Sequence, residues 1–211
     1  MNATRASASM ALLLLLMAVS AASPRRATVS VPSSDHTRTQ RLPSPDGRFV
    51  LVGTTVRTDL PTQKCPTCYS LDTKLWIEDN ASHARRLLLA PGSSAEAGWS
   101  PDGSAFFVND REASDEEFAY LYGTGDLKKV DLEKVIMAAD PGAKRFFNGH
   151  FYFDVDNWLN KDTVQVSLRG HTDKAPVKCF LLRYRVSRSG VIQKLLQRER
   201  LVDGTLCAWT D

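Results

Sequence analysis

Beyond its first 23 residues the sequence has no long apolar run, which excludes a helical membrane span from the rest of the chain. It also lacks a G-x-S-x-G elbow, a Walker loop and a dinucleotide fingerprint, so the common hydrolase and nucleotide-binding chemistries have no motif to stand on. The nearest approach, Tyr122-Gly-Thr-Gly-Asp126, is read as a turn, because the apolar helix that a phosphate loop needs does not follow it. Histidine is sparse: His36, His83, His150 and His171 show no ligand spacing and are expected to be surface or satisfied residues. Charge of one sign is lacking as well. Without residues 1–21 the balance is 26 basic to 24 acidic side chains, too even to steer the chain toward nucleic acid or an anionic membrane. No cofactor and no metal are expected from this inventory.

What is present begins with an address. One cation, Arg5, precedes the apolar run Ala11–Ala22, and within it Val19-Ser20-Ala21 fits a cleavage site just before Pro24. Residues 1–21 are therefore expected to be a signal peptide and the protein to be secreted or periplasmic, with no membrane span after cleavage. Residues 22–41, rich in Ser, Thr and Arg, are read as a flexible lead with one short strand near Ala27 to Val31. Residues 42–211 are read as a single domain, long enough to bury a real core.

From Leu42 short β runs alternate with turn residues in three sets. The first comprises 48–56, 74–79 and 85–90; the second 95–100, 104–110, 118–123 and 127–132; the third 149–158, 163–168, 177–186 and 191–202. Such spacing predicts an all-β sandwich, barrel or propeller. Only 131–142 departs from it: Asp131 is a candidate cap, Leu132, Val135, Ile136 and Ala139 share a helical face, and Pro141-Gly142 ends the segment. A short helix near 131–140 is expected.

One turn occurs twice. Ser44-Pro45-Asp46-Gly47 and Ser100-Pro101-Asp102-Gly103 each precede an apolar strand, and Trp99 stands just before the second. Trp158 followed by Leu159-Asn160-Lys161-Asp162 aligns as a degenerate third copy, 59 positions on. A near-constant period of this size points to a propeller or solenoid. The stretch Trp99-Ser-Pro-Asp-Gly-Ser-Ala-Phe-Phe-Val-Asn-Asp110, with Phe118–Gly123 after it, resembles the blade motif of bacterial TolB and WD-repeat-like propellers. The resemblance implies about three antiparallel blades, each with Trp-Ser-Pro-Asp-Gly joining its innermost and second strands, and it covers residues 36–202 in outline. It says little about activity, since propellers host many functions. Three blades cannot easily close a ring of at least four, so an open wedge is expected, with a dimer or docking onto a partner as the other solutions.

Four cysteines are candidates for disulfides in an oxidising compartment: Cys65, Cys68, Cys179 and Cys207. They allow three pairings, of which 65–68 with 179–207 is preferred. A redox dithiol or half a metal site at Cys65-Pro-Thr-Cys68 remains an alternative. Asp154 and Asp156 superficially suggest a calcium loop, but Trp158 and Leu159 stand where an oxygen ligand and Gly are required. The run Asp110, Glu112, Asp115, Glu116 and Glu117 is read as a solvated loop, with cation binding as the alternative. Alternation in 151–158 places Phe151, Phe153, Val155 and Asn157 on one face as core, and Tyr152, Asp154, Asp156 and Trp158 on the other. These features together predict a non-enzymatic exported binding or assembly module, whose partner is another envelope protein or itself. A redox or other enzyme centred on Cys65 and Cys68, and a carbohydrate- or cation-binding module, are the alternatives.

Overall fold

The computed structural model describes residues 26–29, 37–60, 64, 69–90, 94–111, 116–146, 149–172, 177–201 and 207. The expected signal peptide and the Cys65–Cys68 pair lie outside these residues. Strands β2 (Thr37–Pro43), β3 (Phe49–Asp59), β4 (Tyr69–Asp79) and β5 (Arg85–Leu89) form an antiparallel four-stranded sheet in chain order. Strands β1 (Arg26–Val29), β6 (Ser94–Trp99), β7 (Ala105–Arg111), β8 (Glu116–Gly123), β9 (Lys129–Asp131), β10 (Gly149–Trp158), β11 (Thr163–Thr172), β12 (Lys178–Ser187) and β13 (Ile192–Leu201) form a nine-stranded sheet. Its order is β1-β6-β7-β8-β10-β11-β12-β13, and β9 also pairs with β8. The chain is thus all-β, as expected. The segment read as a flexible lead contributes β1 and most of β2.

The three expected sets are spread over two sheets rather than three. The second and third join where β10 pairs parallel with the start of β8, through Phe151↔Glu116 and Tyr152↔Glu117 only. The far end of β8 is taken by β9, at Tyr120, Leu121 and Tyr122. Because β10 and β9 share one edge of β8, the sheet forks there. The fork is filled by α1 (Leu132–Ala139) and a 3-10 helix at Pro141–Phe146. Asp131 caps α1 as expected, its Oδ1 accepting from Lys134 N at 3.2 Å, and the helix buries Leu132 and Ile136. The α-helix ends at Ala139, just before Pro141-Gly142, as expected; those two residues start a separate 3-10 turn, which buries Ala143 and Phe146.

The middle set is covered on both sides. Phe106, Val108 and Tyr122 pack against Leu42, Leu51, Leu75 and Ile77 of the four-stranded sheet. Ala105, Phe107, Ala119 and Leu121 pack against Phe153, Val155, Val166 and Tyr184 of the third set. Burial on two faces explains why residues 105–108 are an unbroken apolar run instead of alternating.

The two Ser-Pro-Asp-Gly turns have the same hydrogen bonds. Ser44 Oγ and Ser100 Oγ each donate to the Asp two residues on, at 2.6 and 2.8 Å. Asp46 and Asp102 accept from the backbone two residues on, at 3.1 Å in both. Phe49 N and Ala105 N donate to the two serine hydroxyls, at 3.0 Å in both. Gly47 and Gly103 close the turns at φ of 72° and 73°, a left-handed conformation in which a Cβ is strained. The third turn is one residue shorter: Leu159 N donates to Thr163 O, where Ser100 N donates to Ala105 O.

The tryptophans repeat too. Trp99 Nε1 donates to Leu42 O at 2.9 Å, and Trp158 Nε1 donates to Gly98 O at 3.1 Å. In the alignment of the turns, Leu42 and Gly98 are equivalent positions, each one set earlier than the indole that reaches it. Each indole therefore ties a set to its predecessor. Trp99→Phe and Trp158→Phe are each expected to cost about 1–2 kcal/mol, for the lost hydrogen bond and the smaller ring. Urea unfolding of the two variants checks this, and a difference above about 1 kcal/mol between them would deny the equivalence.

The aromatic strand β10 needs one correction. Phe151, Phe153 and Val155 are buried core, as expected. Trp158 joins them in that core rather than sharing the face of Asp154, and Asn157, expected on the core face, is exposed. The reason is a β-bulge between Val155 and Asn157, which shifts the alternation by one residue.

Candidate functional site

The opposite face of β10 carries charge. Asp154 lies across from Ser167, and Tyr152 across from Arg169, on β11. Asp154 Oδ2 accepts from Arg169 at 2.7 Å, and Asp156 accepts from Gln165 Nε2 at 2.9 Å and Ser167 Oγ at 2.6 Å. From β8, Glu117 Oε1 pairs with Arg111 Nε at 2.9 Å, and Glu117 Oε2 stands 4.0 Å from Arg169. Arg26 on β1 donates to Glu96 and to the backbone oxygens of Val155 and Asp156. Asn109 on β7 donates to Val155 O at 3.2 Å and accepts from Val155 N at 2.8 Å. A seam of four carboxyl and three guanidinium groups thus runs along the line where the second and third sets meet.

Electrostatics in the seam are unusual at two positions. Burial, with the nearby Asp154 charge, pushes the Glu117 carboxyl up to about 7 against the opposing pull of Arg111 and Arg169. Burial also raises Asp154, with Asp156 and Glu96 adding to the effect and the same two arginines opposing it. Glu117 therefore exchanges a proton near neutral pH, and Asp154 is held above its ordinary value. The interleaved guanidinium groups make the seam a poor cation site, and among the described residues no group of three or more His, Cys, Asp or Glu could hold a metal ion.

A second feature lies at the far edge of the nine-stranded sheet. The turn after β10 and the β12–β13 hairpin line a groove of about 540 Å³ that includes Leu159, Arg185, Val191 and Gln193. Val191 is 68% exposed and Leu201 60%, and Leu159 and Leu195 are exposed as well. Four of the eight exposed large hydrophobic residues described thus lie on or beside β13, the last strand of its sheet.

The sequence-derived residues are placed unevenly. Ser44–Gly47 and Ser100–Gly103 build turns, and Trp99 and Trp158 build the contacts between sets. Cys179 and Cys207 form the expected disulfide, with Cα atoms 5.5 Å apart. Cys65 and Cys68 lie outside the described residues, as do Glu112, Asp115 and His36. The acidic run is not simply a solvated loop: Asp110 and Glu117 are buried on β7 and β8. Of the histidines, His83 is exposed, whereas His150 and His171 stack across the β10–β11 ladder with ring centroids 4.5 Å apart. The pairing of Glu117 with Asp154 was not anticipated; the only signal was polarity on one face of 152–156. Among the described residues no helix is long and apolar enough to cross a membrane. No protein-family model matches the chain, and no curated protein shows significant similarity to it.

Proposed function

We infer that the chain is an exported binding or assembly module that receives an extended segment of a partner along the open edge of β13. One observation carries the reading: among the described residues a ten-residue strand is the last of the nine-stranded sheet and is mostly exposed, with Leu195 and Leu201 exposed on it and Val191 exposed just before it. An edge strand offers a row of backbone donors and acceptors to another chain, and neighbouring side chains supply selectivity. Arg198 on the same strand guards against indiscriminate pairing and favours a partner strand that carries acidic among apolar residues, while Lys194 is held by Asp140. The architecture is read as three propeller-like sets stacked into an open wedge. The matched turns, the two indole contacts and the doubly covered middle set support that reading. An unclosed ring leaves its ends for another envelope protein or a second copy. The Cys179–Cys207 disulfide suits an oxidising compartment, in keeping with export.

The test is selection from a displayed library of short peptides on the immobilised chain, followed by affinity measurement. Peptides carrying acidic among apolar residues are expected. Val191→Asp with Leu195→Asp, both at exposed positions, should weaken them by about tenfold or more through lost apolar burial and repulsion. Failure to select any peptide, or binding indifferent to the double substitution, overturns the reading.

A further inference from the structure

Glu117 and Asp154 are 8% and 7% exposed and converge on one guanidinium nitrogen of Arg169, which stands 2.7 Å from Asp154 Oδ2 and 4.0 Å from Glu117 Oε2. One oxygen of each is engaged, Glu117 Oε1 with Arg111 and Asp154 Oδ2 with Arg169. The other two, Glu117 Oε2 and Asp154 Oδ1, are buried and accept no hydrogen bond. Two ionised carboxylates in that position would combine like-charge repulsion with two unsatisfied buried acceptors. A single proton removes both defects, because a protonated oxygen of one group donates to the orphaned oxygen of the other.

The pair does not stand alone: the seam is faced by Glu96 from β6, Arg111 from β7, Glu117 from β8, Asp154 and Asp156 from β10, Arg169 from β11 and Arg26 from β1, with Arg183 of β12 on the same face across from Ser167. The pair's position matters as well. β8 and β10 pair at only two residue pairs before they fork, and one of those, Tyr152↔Glu117, contains an acid of the pair. Few backbone bonds hold this corner, and the carboxyl pair crosses it.

We propose that Glu117 and Asp154 share one proton as a carboxylic acid–carboxylate pair, and that this proton latches the β8–β10 corner and is released when the surroundings turn alkaline. The folded chain holds the proton to about pH 7, whereas an unfolded chain releases it near 4.5. The stabilisation is therefore complete below about 4.5, shrinks as pH rises toward 7, and is gone above it. The corner is closed in mildly acidic surroundings and loosens through neutrality.

Infrared difference spectroscopy of the folded chain tests this directly. A protonated-carboxyl C=O stretch is expected at pH 6 that fades with a midpoint near 7 and is missing from Glu117→Gln. The amide of that variant donates to Asp154 at every pH, so it mimics the latched state. Melting of the wild type should fall by several degrees between pH 5 and 8, and that of Glu117→Gln should be clearly flatter. Hydrogen exchange at the first residues of β10 should quicken above pH 7 in the wild type alone. Absence of the acid band from the wild type above pH 5.5, or the same band and melting slope in both proteins, overturns the proposal. If Glu117→Gln does not fold, Asp154→Asn carries the comparison, and the wild-type band decides without either variant.

Discussion

Gly170→Ala is expected to lower stability by about 3 kcal/mol or more, which for a chain of this size is a fall in Tm of about 10 °C. A Cβ built at Gly170 would stand 1.9 Å from the carbonyl oxygen of His150 and 2.9 Å from the Phe180 ring. Neither neighbour can yield cheaply. The carbonyl belongs to the backbone of β10, directly across the ladder, and Phe180 is fully buried in the third-set core. A side-chain clash at a flexible tip is relieved by a rotamer change, but relief here requires parting β10 from β11. That would unstack His150 from His171 and move the start of β10 where it meets β8. Thermal unfolding followed by circular dichroism measures the effect. A Tm within about 2 °C of wild type would mean that the two strands do not approach as closely as described.

The parts of this fold legible in the sequence are those whose causes are local. The Ser-Pro-Asp-Gly turns were readable because the hydrogen bonds that the two turns share all lie within six residues, although Asn80 also donates to Gly47 O from 33 residues on. The α1 cap was readable for the same reason: Asp131 reaches the backbone three residues on. Alternation along β10 was legible as far as Val155 and then failed. The bulge that follows is held by partners remote in sequence, Asn109 on Val155 and Arg26 on the oxygens of Val155 and Asp156. Nothing between 150 and 160 announces them. The same holds for the fork at β8, where two strands compete for one edge, and for the carboxyl pair. Glu117 looked like one acid among five in a loop, and Asp154 like a failed calcium ligand. Only the parallel corner brings them together, and such a contact between distant segments leaves no local pattern. The matching of Trp99 to Trp158 lies between these cases: the period was visible, and the carbonyl each indole reaches was not.

Removing the Asn109 side chain should cost nearly as much as the added methyl at Gly170. Asn109 is fully buried, and its amide does for Val155 what a neighbouring strand would do, accepting from N–H and donating to C=O. In Asn109→Ala the Val155 oxygen keeps Arg26 at 3.3 Å, but its N–H loses its partner inside the protein. That orphaned donor, with the small cavity beside it, is expected to cost about 3 kcal/mol by urea unfolding. Asn109→Asp separates hydrogen bonding from packing, since the shape is kept. At neutral pH the carboxylate still accepts from Val155 N–H, but it turns a charge toward Val155 O and stands across the ladder from Glu96. Burial and Glu96 hold the introduced acid's pKa above its unfolded value, so its protonated form is favoured in the folded chain and then donates to Val155 O as the amide does. The variant should therefore be destabilised at pH 7 and recover toward wild type as pH falls to 5, opposite in sense to an ordinary salt-bridged aspartate. Equal stability of wild type and Asn109→Asp at both pH values would show that the amide does not tie β7 to β10, and the seam would then rest on its arginines alone.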